Sequence, residues 1–275
     1  MSASSTVYLV TGANRAYSIV ILRTTQPLTQ LATTRVAASP GIGLGIASLL
    51  LARPDTTVVA TSRQPPAPGD ALSALAASPA VHPTSRLVRL ELDVASPASL
   101  STLAARLASE HAISALDVVI SNAGAAAAGA GGVLSAGLAE RARRDWEVNA
   151  GGVVGVFRAV WPLLEASGKP AAERKFASVS SSVGSIGLLG RECFPMAAYG
   201  MSKAAANYFV RMVAAELKGR WVKTSMGQML ADELGVPEPP LTVQESARGV
   251  IEQVDALTLE NSGRFVTQKG EEIPW

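Results

Sequence analysis

Val7-Tyr8-Leu9-Val10-Thr11-Gly12-Ala13-Asn14-Arg15 is a short apolar run that breaks into a glycine-containing turn, and Gly41-Ile42-Gly43-Leu44-Gly45-Ile46-Ala47 opens a helix-forming segment. Between them lies Ala16–Pro40, a stretch with no acidic residue and no glycine. With that stretch set aside, the flanks rejoin as Thr11-Gly12-x-x-x-Gly41-Ile42-Gly43, a strand, a glycine turn and a helix. Glycines let a backbone approach a pyrophosphate, and a helix start offers free amides and the positive end of its dipole. The segment reads as the first β-α unit of a nucleotide-binding sheet. Gly12, Arg15, Gly41, Ile42 and Gly43 are its candidate cofactor contacts, and residues 16–40 form an insertion in the phosphate-binding loop.

The rest of the chain repeats the alternation. Val7–Thr11, Thr57–Thr61, Leu87–Leu92, Leu116–Asn122 and Lys175–Val179 are short and mostly apolar, as expected for strands covered on both faces. Gly43–Ala52, Ser99–His111, Arg143–Leu164 and Ala198–Leu217 read as helices, with Ser96 placed to cap the second and Pro97 just inside its start. A β-α alternation with right-handed crossovers gives a doubly wound parallel sheet of the Rossmann type, spanning residues 1–275 as a single domain. Its ligands lie beyond the carboxyl ends of the strands. The Pro-rich stretch Gln64–Asp70 and the Ala/Gly run Ala125–Gly132 read as loops, the second as a mobile connection.

Composition narrows the function classes. A formal net charge of only +2 gives no general electrostatic reason to expect nucleic acid or an anionic membrane as partner. The lone Cys193 rules out an internal disulfide and any multi-cysteine metal site, and His82 with His111 are too few and too scattered for a metal cluster. No stretch reaches the roughly 20 apolar residues of a membrane span, and the N-terminus lacks the pattern of a secretory signal. A cytoplasmic protein acting on a small molecule, with no metal, is the expectation.

Two further features carry chemistry. Thr61-Ser62-Arg63 ends the second strand without an acid, where an NAD site places one for the ribose 2′-hydroxyl; Arg63, with Arg15, suits the 2′-phosphate of NADP(H). Tyr199-Gly200-Met201-Ser202-Lys203 sets Tyr199 and Lys203 four apart, on one face of a predicted helix. An ammonium one turn away stabilises a phenolate, so such a tyrosine can exchange a proton with a carbonyl or an alcohol near neutral pH.

Taken with Val179-Ser180-Ser181-Ser182-Val183-Gly184 and Val148-Asn149-Ala150-Gly151, this pattern resembles the short-chain dehydrogenases/reductases along almost the whole chain outside residues 16–40. The resemblance implies a catalytic set of Asn149, Ser181, Tyr199 and Lys203. Ser181 would polarise the substrate carbonyl, with Ser180 and Ser182 as alternatives, and Asn149 would organise a proton-relay water. Tyr199 would give the proton, and Lys203 would also bind the nicotinamide ribose. It further implies that Asp93 and Val94 contact the adenine ring, and that Asn122, Ala123 and Gly124 support the sheet and the adenosine ribose. Thr224 would touch the nicotinamide amide. A homodimer or homotetramer through the two long helices is also implied.

The segments 51–63 and 195–207 and the tail Gly270-Glu271-Glu272-Ile273-Pro274-Trp275 are similar to a fungal subgroup, the norsolorinic acid ketoreductase-like and carbonyl reductase-like enzymes. An NADP(H)-dependent ketoreductase of secondary metabolism, acting on an aromatic polyketide ketone, is what that implies. Two departures stand against it. The insertion interrupts the phosphate loop, and Leu217-Lys218-Gly219-Arg220-Trp221-Val222-Lys223-Thr224 passes from helix to threonine with no apolar run and no Pro-Gly. A sixth strand is expected to be missing near Lys218, leaving Gly263–Thr267, the expected last strand, without its neighbour. A catalytically impaired nucleotide-binding scaffold, or a mis-spliced gene model, is the alternative expectation.

Overall fold

The computed structural model describes residues 5–13, 41–65, 67–126, 131–170, 173–191, 194–216, 223–226, 242–258 and 261–275. Arg15, the insertion at 16–40, Cys193 and Lys218 lie outside the described residues, as does part of the Ala/Gly run at 125–132.

Six strands form one sheet: β1 (Thr6–Val10), β2 (Thr56–Ser62), β3 (Arg86–Glu91), β4 (Val118–Ser121), β5 (Lys175–Ser180) and β6 (Lys223–Met226). Their spatial order is β3-β2-β1-β4-β5-β6, and every neighbouring pair is parallel. The order reverses between β1 and β4, which leaves a crevice at their carboxyl ends where a doubly wound sheet takes its ligand. Period-2 alternation divides the core in two. Leu9, Val59, Val119 and Phe176 face one side with Leu107, Val156 and Val210. Their strand neighbours Tyr8, Val10, Val58, Ala60, Val118, Ile120 and Ala177 face the other, against Ile46, Leu50 and Val250. Strands buried on both faces are why these runs are continuously apolar.

The helices are α1 (Ile42–Leu51), α2 (Ala71–Ala76), α3 (Pro97–Ser101), α4 (Leu103–His111), α5 (Leu138–Trp146), α6 (Gly152–Glu165), α7 (Ala197–Glu216) and α8 (Val243–Asp255). Ser96 Oγ accepts from Ser99 N at 3.2 Å, as its position before Pro97 predicts. The single helix expected over 99–111 is instead broken at Thr102. There the hydroxyl bonds back to Ser99 O at 3.1 Å, competing with the helical pattern. The helix expected over 143–164 starts earlier, at Leu138, and passes through a π-turn at Glu147–Gly151. Sequence reading missed α8, although its start carries a capping box. Thr242 Oγ1 accepts from Glu245 N at 3.1 Å, and Glu245 Oε2 accepts from Thr242 N at 2.7 Å.

Two expectations at the end of the sheet are corrected. The place beside β5, expected to be vacant, holds β6, with Thr224 in register with Ser178. Four residues suffice because a parallel edge strand needs only backbone pairing to β5, and an apolar run is not required for that. Residues 263–267 add no strand to the sheet. They meet the tail through one antiparallel bridge, Val266 to Glu272, flanked by Thr267 N to Glu271 O and Ile273 N to Phe265 O, each 2.8 Å. Gly270, at φ +83°, makes the reversal that folds the chain back on itself.

Candidate active site

At the crevice, the two halves of the interrupted glycine motif come together. Gly12 adopts φ +65°, and a Cβ there would stand 2.9 Å from Ala123 Cα. A Cβ on Gly43 would stand 2.5 Å from Asn122 Nδ2 and 2.8 Å from Gly12 O. The turn after β1 and the start of α1 therefore touch despite the residues inserted between them, and only glycine fits at either point. Gly41 caps α1 in an extended conformation with no side-chain cap. Its first amides are thus left to an anionic ligand, the arrangement that a pyrophosphate uses.

Asn122-Ala123-Gly124 holds this cradle from the β4 side. Thr11 Oγ1 accepts from Asn122 N and Ala123 N, both at 3.0 Å, and Asn122 Nδ2 donates to Thr11 O at 3.1 Å. Ala13 N donates to Thr61 O at 2.8 Å, which ties the glycine turn to the end of β2, where Arg63 stands exposed. Asp93, at the end of β3, accepts from Ala95 N at 3.0 Å through its carboxylate. Val94 is 5 % exposed and lies against Gly152, so its side chain serves the core, whatever contact its backbone makes. Thr224, expected at the nicotinamide amide, lies within β6 in register with Ser178.

The four residues of the expected catalytic set sit on three adjacent elements. Asn149, fully buried in the π-turn, accepts from Ala125 N at 2.7 Å through Oδ1 and donates from Nδ2 to Ala125 O at 2.6 Å. Nδ2 also donates to Ser202 Oγ at 2.9 Å, and Ser202 Oγ donates to Tyr199 O at 2.7 Å. Both Nδ2 hydrogens are thereby taken, so a water on this side chain is left one Oδ1 lone pair. π-turns interrupt helices mostly at functional sites. Here the turn joins the loop after β4 to the first turns of α7, and Ser202 is the member of this chain that sequence reading missed. Its place inside Tyr199-x-x-x-Lys203 was the available signal.

Lys203 is 4 % exposed and donates to Val179 O at 3.0 Å, with its Nζ 5.7 Å from the centre of the Tyr199 ring. Burial pushes the ammonium down to about 8. A Cβ on Gly124 would stand 3.2 Å from Asn149 Oδ1 and 3.6 Å from Lys203 Nζ, so the β4 loop, the π-turn and α7 converge on one point.

The serine segment crosses the same turn of α7. A Cβ on Gly184 would lie 2.6 Å from Lys203 Cβ, and one on Gly200 would lie 2.9 Å from Val183 O. Among the three serines, Ser180 Oγ donates to Asn207 Oδ1 at 2.5 Å inside the core. Ser181 Oγ accepts from Val183 N at 3.3 Å, which leaves its proton for another acceptor. The geometry thus favours Ser181 over Ser180 as a donor to a bound carbonyl.

A family model described as enoyl-(acyl carrier protein) reductase matches residues 36–225, well over half of the chain. The match begins after most of the insertion and ends inside β6, at the two places where the sequence departs from the pattern. The norsolorinic acid ketoreductase nor1 of Dothistroma septosporum is 35 % identical over 252 residues, covering 86 % of this chain and 90 % of that protein. The short chain dehydrogenase gsfK of Penicillium aethiopicum is 35 % identical over 249 residues, covering 86 % and 95 %. Among solved structures, a carbonyl reductase from Pseudomonas aeruginosa in complex with NADP superposes with a TM-score of 0.69 at 26 % identity, covering 99 % of this chain and all of the other. The family model covers the helix start at Gly41–Gly43 and the Tyr/Lys turn, the relatives cover most of the chain, and the chain belongs to the short-chain dehydrogenase/reductase family.

Proposed function

We propose that the protein is an NADP(H)-dependent ketoreductase whose substrate is a ketone on an aromatic polyketide. The observation that carries the reading is the buried ammonium of Lys203 beside the Tyr199 ring, at the end of a glycine cradle that remains closed. Gly12, Gly41, Ile42 and Gly43 would hold the pyrophosphate, Arg63 and Arg15 the 2′-phosphate, and Asp93 with Val94 the adenine. Asn122, Ala123 and Gly124 would back the ribose, and Thr224 would touch the nicotinamide amide. The cradle fits such a group, because its two glycines let the β1 turn, the start of α1 and the β4 loop pack in contact while the first amides of α1 have no side-chain cap. When bound, NADPH supplies the hydride equivalent.

The remaining chemistry falls to the chain itself. Ser181 Oγ donates a hydrogen bond to the ketone oxygen, and the Tyr199 hydroxyl gives that oxygen its proton. Lys203, with two ammonium hydrogens beyond the one on Val179 O, binds the nicotinamide ribose and favours the phenolate left behind. Asn149 fixes the 124–125 loop to α7 and can hold a relay water only through its remaining lone pair or its backbone. The name of the nor1 relative, a norsolorinic acid ketoreductase, supports reduction of such a ketone, and the P. aeruginosa complex supports NADP over NAD.

The residues inserted between Arg15 and Gly41 favour a second reading, a nucleotide-binding scaffold without turnover or the product of a mis-spliced transcript. NADPH fluorescence titration followed by NADPH oxidation with a panel of aromatic ketones separates them. Turnover with a tighter Kd for NADPH than for NADH supports the reductase, and Arg63→Ala should narrow that preference. Binding without turnover supports the scaffold, and neither supports the gene-model reading. Exposed Tyr208 and Met212 on α7, next to the Phe157, Trp161 and Phe209 ring cluster, support a homodimer or homotetramer through α6 and α7, which light scattering would read. No described helix is long and apolar enough to cross a membrane, and a cytoplasmic location is part of the proposal.

A further inference from the structure

The tail residues Pro274 and Trp275 hold the segment that carries Ser181, and nothing in the proposed chemistry accounts for that contact. Ser185, 2 % exposed and just past the 3-10 turn Ser182–Gly184, donates from Oγ to Pro274 O and accepts from Leu188 N at 3.2 Å. Gly187 N donates to Trp275 O at 2.8 Å, and a Cβ on Gly187 would stand 2.8 Å from Pro274 Cβ. The tail is itself anchored on two sides. Its ladder to residues 265–267 fixes the backbone, and the Trp275 ring lies 5.4 Å from the ring of fully buried Phe265. On the other side the Arg211 guanidinium of α7 stands 6.0 Å from the Trp275 ring while Nη1 donates to Gly263 O at 3.0 Å.

These contacts close a loop of rigid parts. Helix α7 carries Tyr199 and Lys203, its Arg211 holds the tail, the tail holds Ser185 and Gly187, and Gly184 presses back on Lys203. We propose that Pro274 and Trp275 are positioning residues, a clamp that fixes the Ser181–Gly187 segment against α7 and so sets the distance between the serine and the tyrosine across the ketone. The proposal rests on the ketoreductase reading for its chemical purpose, while the clamp itself is testable without turnover. Segments outside the regular sheet and helices open at the lowest free energies, and a serine on such a segment needs a tether to stay aligned.

Hydrogen exchange on the NADPH-bound full chain reads the clamp directly. Trp275→Ala is expected to raise exchange of the amides from 183 to 188 at least tenfold, with α1 and α6 unchanged and the NADPH Kd within twofold. In the same variant kcat should fall about tenfold or more, with a smaller change in KM, and Trp275→Phe should restore most of both. Ser185→Ala, which leaves the tail ring packed, should reproduce the exchange change and provides a second variant if Trp275→Ala does not fold. A wild-type protein without turnover whose exchange responds as described supports the clamp and counts against the ketoreductase reading. Unchanged exchange over 183–188 in both variants overturns the clamp. So does a loss of protection spread evenly over the whole fold with NADPH binding weakened in step, which is a structural role only.

Discussion

Replacing Gly43 with alanine tests whether the interrupted loop still works as one turn. The added Cβ would meet Asn122 Nδ2 at 2.5 Å, Gly12 O at 2.8 Å and Ala13 Cα at 3.0 Å. Two of those atoms are backbone, and the third is committed to Thr11 O, so no flexible side chain can yield. Overpacking of this kind costs about 1–3 kcal/mol, and losing the Asn122–Thr11 bond adds about 1 kcal/mol. The total is about 2–4 kcal/mol, divided between folding and cofactor binding. Urea unfolding and NADPH fluorescence titration measure the two parts, and their losses should sum to that range. Carried wholly by binding, the range corresponds to roughly 30- to 1,000-fold in Kd. Gly168→Ala is the control, because a Cβ there meets nothing within 4 Å; it should change stability by less than about 0.5 kcal/mol. Gly43→Ala with both losses inside that same margin would refute the closed cradle.

Two other outcomes follow from the same geometry. The Lys203 ammonium, held down to about 8, is present below that pH and lost as pH rises through it. NADPH affinity of the free protein should therefore weaken above pH 8 in the wild type and stay flat in Lys203→Met, and parallel curves would remove Lys203 from the cofactor site. Thr242→Ala deletes the bond from Glu245 N to Thr242 Oγ1 in the α8 capping box, keeps the one from Thr242 N to Glu245 Oε2, and should cost about 1 kcal/mol of stability. It should leave the NADPH Kd unchanged, since α8 covers the sheet face on which Ile46 and Val250 pack.

Much of this was legible in the residues. β1, β2, β4 and β5 were readable because burial on both faces makes their centres apolar, and the glycine motif was readable once residues 16–40 were set aside. Long-range bonds of residues already singled out were harder to read. Asn149 contacts Ala125 and Ser202, positions 24 and 53 residues away, and no local pattern encodes that. The choice between Ser180 and Ser181 needed the Asn207 carbonyl, which only packing of α7 brings to β5. β6 escaped notice because an edge strand is specified by its backbone partner, and its own sequence lacks an apolar run. The break at Thr102 was hidden for the opposite reason, being a local hydroxyl bond inside an otherwise sound helical pattern. α8 was missed although Thr242-x-x-Glu245, followed by Ala247, Val250, Ile251 and Val254, carries both the cap and the helical period.

The proposed chemistry turns on Tyr199 giving the proton to a ketone in a site that binds NADPH. Its most direct test is NADPH oxidation with an aromatic ketone, measured on wild type and Tyr199→Phe beside NADPH titrations of both. Expected are turnover in the wild type, a loss of at least about a hundredfold in kcat in the variant, and NADPH Kd values within about threefold of each other. Equal turnover in the two proteins would contradict it.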